Sequence, residues 1–309
     1  MSMRDRALAA SVAVMWGLNF IAIHASLEHF PPMFLVALRF ALIAIPTALF
    51  VPWPQVRARW LVGYGIGFGV LQFAFLYWGM SSGMPTGLAS LVLQASAPFT
   101  VVLGATFLRE RISGRQVLGM VIALGGLAVV GSHRAQVAAI LPFLLTLAAG
   151  FGWAIGNVCS RQARPPNPLH LTLWMSVVPP IPMLAVALLI EGPQRIGTSL
   201  ATAFTGDGVI ALAGLAYTVV IATVVGSGIW TWLMSRHPAG VVAPFSMLVP
   251  VTGMTAAWIM LGERVSPYEV AGGAIVVAGV LLGSTRVKPR AARARADEPD
   301  SGYHQQVVR

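Results

Sequence analysis

The chain has 309 residues, 57% of them hydrophobic and 10% charged, with a formal net charge of +10 and a single cysteine, Cys159. Soluble domains carry about 25% charged residues, so this composition, with a mean hydropathy of +0.77, excludes a soluble globular domain. One cysteine excludes an internal disulfide, and a positive charge that alternates from loop to loop points to membrane topology and away from nucleic acid.

A bilayer core about 30 Å thick needs roughly 20 apolar residues per helix. Ten such stretches follow one another, at 7–27, 32–51, 61–81, 87–107, 115–132, 137–159, 169–190, 208–233, 240–261 and 268–285. Span one follows a basic start, Arg4 and Arg6, as a signal peptide would. It is long, however, holds Trp16 and Asn19, and ends without a small-residue cleavage site, so it reads as a membrane helix. Trp16 and Asn19 are three apart and share a helix face, and His24 lies near the far end. Span two carries Arg39, the one ionised side chain deep in an apolar run. Spans three and five carry small residues that let helices approach closely: Gly63, Gly65, Gly67 and Gly69, then Gly119, Gly125 and Gly126. Span four holds Gln94 and Pro98. Span six echoes span one with Trp153 and Asn157. Span seven has Pro179, Pro180 and Pro182, read as a bend, and span nine has Ser246 and Pro250. The tail, 287–309, mixes Arg, Ala, Asp, Pro and Gln without an apolar face. It is expected to be disordered, with its basic part against anionic lipid.

Placing the N-terminus in the cytoplasm puts Arg4, Arg6, Arg57, Arg59, Arg109, Arg111, Arg115, Arg161, Arg164, Arg236 and the basic tail inside. Only Arg134, Arg195 and Arg264 then lie outside. By the positive-inside rule both termini are cytoplasmic.

An internal repeat divides the spans. Leu108-Arg-Glu-Arg-Ile-Ser113 recurs as Leu261-Gly-Glu-Arg-Val-Ser266, and the register continues with Val117 and Val270, Gly119 and Gly272, Gly126 and Gly279, and upstream with Gly87 and Gly240. Two halves, 1–133 and 134–286, hold five spans each. An odd number inverts the second copy, so the expected fold is an all-α polytopic membrane protein of ten transmembrane helices in two inverted repeats. Inverted repeats mark alternating-access transporters, with the substrate site near the midplane between them. Duplication without a transport role is the plainer alternative.

The polar interruptions are the candidate site. Arginine at a helix centre costs about 2.5–3.5 kcal/mol on insertion scales, which Arg39 can recover as counter-charge to a substrate carboxylate or by snorkelling to carbonyls. Asn19 beside Trp16 and Asn157 beside Trp153 offer donor, acceptor and ring to a zwitterion; the alternative is interhelical glue. Pro98 removes the donor for the Gln94 carbonyl and Pro250 that for Ser246, which leaves carbonyls free to line a cavity or marks a packing kink. No Asp or Glu lies deep within a span, Glu269 standing at the very start of span ten, so His24 is the titratable candidate for proton coupling, against a plain role at the outer rim.

The ten-helix pattern in two halves resembles the drug/metabolite transporter superfamily, EamA family, over the whole chain except the tail. Trp16-Gly-Leu-Asn-Phe20, Leu38-Arg-Phe40, Gly83-Met-Pro-Thr-Gly-Leu-Ala-Ser-Leu-Val-Leu-Gln-Ala95, Leu145-Thr-Leu-Ala-Ala149, and Val242-Ala-Pro-Phe-Ser-Met-Leu-Val-Pro-Val251 are similar to the branch of that family that exports O-acetylserine and cysteine. The family often carries a lysine near the end of helix one, where this chain has His24. The resemblance implies a secondary exporter of amino-acid-like metabolites in the inner (plasma) membrane. Same-fold carriers of other amino acids or hydrophobic drugs are the alternative. A membrane-embedded enzyme is the more distant alternative; no H-E-x-x-H, G-x-S-x-G, P-loop or Cys/His metal spacing appears, so neither catalysis, nucleotide hydrolysis, metal nor cofactor is expected. The expected partners are the small-molecule substrate and lipids, with a homodimer left open.

Overall fold

Apolar runs in this chain can satisfy their backbone groups in lipid only by coiling into helices, and the computed structural model shows no strand among the residues it describes, 1–110, 112–137, 139–237 and 239–284. The expected tail, 287–309, and Arg111 lie outside those residues. The helices are α1 (Met3–Leu27), α2 (Pro32–Phe50), α3 (Ala58–Ser81), α4 (Thr86–Leu108), α5 (Gly114–Val137), α6 (Leu141–Ala163), α7 (Pro168–Ile190), α8 (Asp207–Arg236), α9 (Ala243–Leu261) and α10 (Pro267–Ser284). Among the described residues, nine are long and apolar enough to cross a membrane; in α10 the apolar helix Pro267–Gly283 is shorter. A short helix, Pro193–Ala201, lies between α7 and α8.

Local chemistry sets the ends. Ser2 and Asp5 form a reciprocal capping box that starts α1 before its apolar part. Pro142 in the first turn of α6 starts that helix at Leu141, later than the expected 137. Arg109 and Gly262 close α4 and α9 in the left-handed conformation, at φ 54° and 66°.

Close approach follows the small residues. A Cβ on Gly67 would lie 2.6 Å from the Gly156 backbone nitrogen, so α3 and α6 touch backbone to backbone. Gly119 and Gly126 face the Gly279 and Gly272 backbones of α10 in the same way, whereas Gly125 faces open space and does not serve the packing expected of it. α1 runs between α8 and α9, α2 packs on α7, and α4 packs its first half on α9 and its second on α6.

Five stretches depart from α-winding. α3 widens to a π-helix over Gly65–Gln72 and α8 over Tyr217–Gly226. α4 tightens to a 3₁₀ turn at Leu93–Ala95, α7 at Met175–Val177, and Ala243–Met247 does so at the start of α9. The break in α7 sits just before Pro179, where a bend was expected. The 3₁₀ turns in α4 and α9 also correct one expectation. The Ser96 N–H donates to Gln94 and Leu93, and the Leu248 N–H to Phe245 and Ser246, so the carbonyls deprived by Pro98 and Pro250 are re-satisfied by local tightening.

Candidate functional site

Arg39 is only 5% exposed and lies where α2 meets α3 and the π-winding of α8. Its Nη1 donates to the Tyr77 hydroxyl at 3.0 Å and its Nη2 to Thr223 Oγ1 at 3.2 Å. The Thr223 hydroxyl in turn donates to the Thr218 carbonyl at 2.8 Å. The guanidinium lies 3.9 Å from the Phe73 ring centroid and 5.3 Å from that of Phe40. Two neutral hydroxyls and two ring faces thus hold the cation; among the described residues, no carboxylate lies within ion-pair distance of it. Arg39 Nε, Gln72 Oε1 and Thr218 Oγ1 are buried without a hydrogen-bond partner. Buried polar atoms are ordinarily paired, so these three stand out.

α1 meets the same stretch of α8. Trp16 Nε1 donates to the Ala222 carbonyl at 2.9 Å, and its ring lies 5.1 Å from Trp230. π-winding redirects carbonyls from the ordinary ladder and recurs at functional positions; here it presents residues 222 and 223 to α1 and α2. Asn19 is buried, and its Oδ1 has no partner. Trp16 and Arg39, distant in sequence, therefore converge on consecutive residues of α8.

The other candidates divide. Trp153 meets Phe68 edge-on at 5.9 Å, and Phe68 meets Phe73 at 5.6 Å, so a chain of rings leads from α6 to Arg39. Asn157 Nδ2 donates to Thr100 Oγ1 at 3.1 Å and ties α6 to α4. Gln94 is buried and directs its amide to Met247 Sδ at 3.7 Å, across to the start of α9. The Ser246 hydroxyl donates to Ala243 within its own turn at 2.7 Å. Pro98 is buried, and Pro250 lines an apolar groove of about 700 Å³ between α9 and α10 with Leu91, Met254, Trp258 and Val277. His24 lies at the partly exposed end of α1, 3.6 Å from Glu28 one turn on. The structure thus sets Trp16 and Arg39 on consecutive residues of α8 and links Trp153 to Arg39 through the rings of Phe68 and Phe73. Asn157, Gln94, Ser246, Pro250 and His24 stand in separate contacts.

Phe73, Tyr77, Thr218 and Thr223 were not legible from sequence. Their signal was faint: a phenol and threonines at membrane depth. Polar ties at the helix ends were missed as well. His237 lies 2.9 Å from Asp5. The Glu191 carboxylate accepts from the Met33 and Phe34 N–H groups at 2.7 and 2.9 Å, and that of Glu263 from Thr86 and Gly87 at 2.6 and 2.9 Å. Carboxylates at helix N-termini face the positive end of the dipole.

The sequence profile of the EamA-like transporter family matches residues 6–132 and again 140–285. A protein of Salmonella typhimurium named "Probable amino-acid metabolite efflux pump" is 41% identical over 288 residues, 91% of this chain and 95% of its own length. Its Escherichia coli counterpart of the same name is 40% identical over the same shares. A "Probable terminal-alkyne amino-acid exporter" of Streptantibioticus cattleyicolor is 26% identical, over 90% of this chain and 92% of its own. One crystal structure, 18% identical, matches with a TM-score of 0.59 over 91% of this chain and 96% of that chain, which shows likeness of fold.

Proposed function

The chain belongs to the EamA-like transporter family, and from that premise we propose that it exports amino-acid-like metabolites across the inner membrane by alternating access, O-acetylserine and cysteine being the first substrates to test. Relatives named as amino-acid efflux pumps and an amino-acid exporter support the substrate class. The two separate profile matches support two five-helix halves, 1–133 and 134–286, with α10 completing the second. The loop arginines support cytoplasmic termini.

One observation carries the reading: Arg39 is a buried cation held by hydroxyls and rings, with its Nε unpaired and, among the described residues, no carboxylate beside it. Intramembrane ionisable groups that face the protein interior are functional candidates by default. In this reading the substrate carboxylate takes Arg39 Nε, while Gln72 Oε1 and Asn19 Oδ1 supply acceptors for an ammonium. Trp16 holds α1 to the π-winding of α8, and the rings of Phe73, Phe68 and Trp153 form an apolar wall. Asn157, Gln94 and Ser246 act at helix contacts along the path, and Pro98 and Pro250 set the breaks in α4 and α9. The partners are this substrate and the surrounding lipid.

The test is efflux. Cells overproducing the protein are expected to accumulate external O-acetylserine, cysteine or another amino acid, as measured by untargeted analysis of the medium. Unchanged release of every amino acid, with membrane insertion confirmed, would refute the proposal. The apolar groove beside Pro250 favours a second reading, a hydrophobic solute, which the same measurement with dye substrates distinguishes.

A further inference from the structure

The repeat register aligns Glu110 with Glu263, and the backbone ends α4 and α9 alike. Arg109 and Gly262 are both left-handed, and the N–H of Glu110 donates to Gly104 at 3.3 Å as that of Glu263 does to Ala257 at 3.2 Å. The two carboxylates therefore leave their helices from the same geometry, yet their contacts differ. Glu263 bridges to another helix, accepting both the Thr86 and Gly87 N–H groups at the start of α4. Beside it, a Cβ on Gly87 would lie 2.9 Å from the Met254 Cα, so this half of α4 is shut on α9. Glu110, at the other end of α4, instead pairs with Arg161 of α6, and the two side chains are 45% and 49% exposed. The residues that the register aligns with Thr86 and Gly87 are Ala239 and Gly240, at the start of the four-residue α-helix Ala239–Val242 that precedes α9.

We propose that Glu263 and Glu110 are alternating latches. In the opposite-facing state Glu263 releases Thr86 and Gly87, and Glu110 leaves Arg161 to accept the Ala239 and Gly240 N–H groups. Inverted repeats exchange conformations during alternating access, so a contact made by one half in one state is made by its counterpart in the other. Both latches are positioning residues: neither touches the substrate site around Arg39. Glu191 supplies the contrast. It holds the Met33 and Phe34 N–H groups by the same chemistry, but no acid lies in the loop 51–57 that follows α2. Its contact has no counterpart to exchange with and holds α2 to α7 in both states. The proposal rests on the alternating-access reading above.

Cross-linking tests it in the full-length chain carrying Cys159→Ser, reconstituted in liposomes. One cysteine pair, Thr86→Cys with Val265→Cys, leaves Glu263 in place and reports the closed contact seen here; a second, Ala239→Cys with Ile112→Cys, leaves Glu110 in place and reports the proposed one. A short bifunctional maleimide is expected to join both pairs, the first faster. A contact to a charged group is worth about 1.5–3 kcal/mol, so adding Glu263→Gln to the second pair raises its cross-linking about tenfold or more. Adding Glu110→Gln to the first pair raises that one, and Glu191→Gln changes neither. Gly87→Ala pushes the same contact apart with the carboxylate intact and is expected to act like Glu263→Gln, which guards against misfolding of the charge variant. A second pair that never cross-links while the first does, or that ignores both Glu263→Gln and Gly87→Ala, overturns the latch. Wild-type liposomes that move no amino acid, with both pairs behaving as described, overturn the transport reading and leave the latch standing.

Discussion

Replacing Arg39 by methionine separates a structural from a substrate-binding role. Arginine at mid-membrane costs about 2.5–3.5 kcal/mol. Its hydrogen bonds to Tyr77 and Thr223, at about 0.6 kcal/mol each in a membrane, and a desolvated cation–π contact with Phe73, about 2 kcal/mol, together recover about 3 kcal/mol. Cost and recovery balance, so the unbranched methionine, which fills similar space against the Phe73 and Phe40 rings, leaves stability within about 2 kcal/mol of wild type. The Thr223 hydroxyl keeps its own bond to Thr218; Tyr77 loses the donor it accepts from. Export, by contrast, falls at least tenfold, because among the described residues no other arginine or lysine lies deep in a membrane helix. The assay pairs thermal unfolding of the purified protein in detergent with amino-acid efflux from liposomes at matched protein density. Wild-type export by the variant would refute the binding role. Loss of the folded protein would refute the energy balance and make Arg39 a structural element.

Other expectations follow from single contacts. Glu191→Gln weakens two charge-assisted bonds to the start of α2 and lowers stability by about 1–2 kcal/mol, read as an earlier thermal transition with residual export. Gly67→Ala forces α3 off the Gly156 backbone and costs about 1–3 kcal/mol, whereas Gly125→Ala, facing open space, gains about 0.5–1 kcal/mol of helix stability; comparing the two melting curves tests the packing. Arg109→Gly relieves a left-handed non-glycine residue and stabilises the protein by about 1 kcal/mol, an unchanged transition being the contrary result. Trp16→Phe keeps a ring against Trp230 but loses the bond to the Ala222 carbonyl; it is expected to slow export with little change in melting.

Membrane residence and the helical runs are written in composition, because lipid offers backbone groups no other partner and the bilayer sets the length. Helix boundaries are mostly legible too, since Ser2, Pro142 and Gly262 act locally. Arg39 stands out in sequence for the same reason a lone charge is costly in hydrocarbon. Its partners do not, because Tyr77 and Thr223 are unremarkable residue types whose approach depends on how α3 and α8 wind. Asn157 reads like Asn19 by spacing, yet the fold gives it Thr100 and leaves Asn19 with an unpaired oxygen.

The sequence by itself therefore determined the solvent, the helical spans and the doubled motif around Glu110 and Glu263, all properties of residue type and short-range spacing. Only the tertiary structure decided that Trp16 and Arg39 meet on consecutive residues of a π-wound helix, and that of two glutamates equivalent in the repeat one accepts from the start of α4 while the other pairs with Arg161. Those outcomes depend on which helix faces meet across the whole chain, which local propensity does not encode.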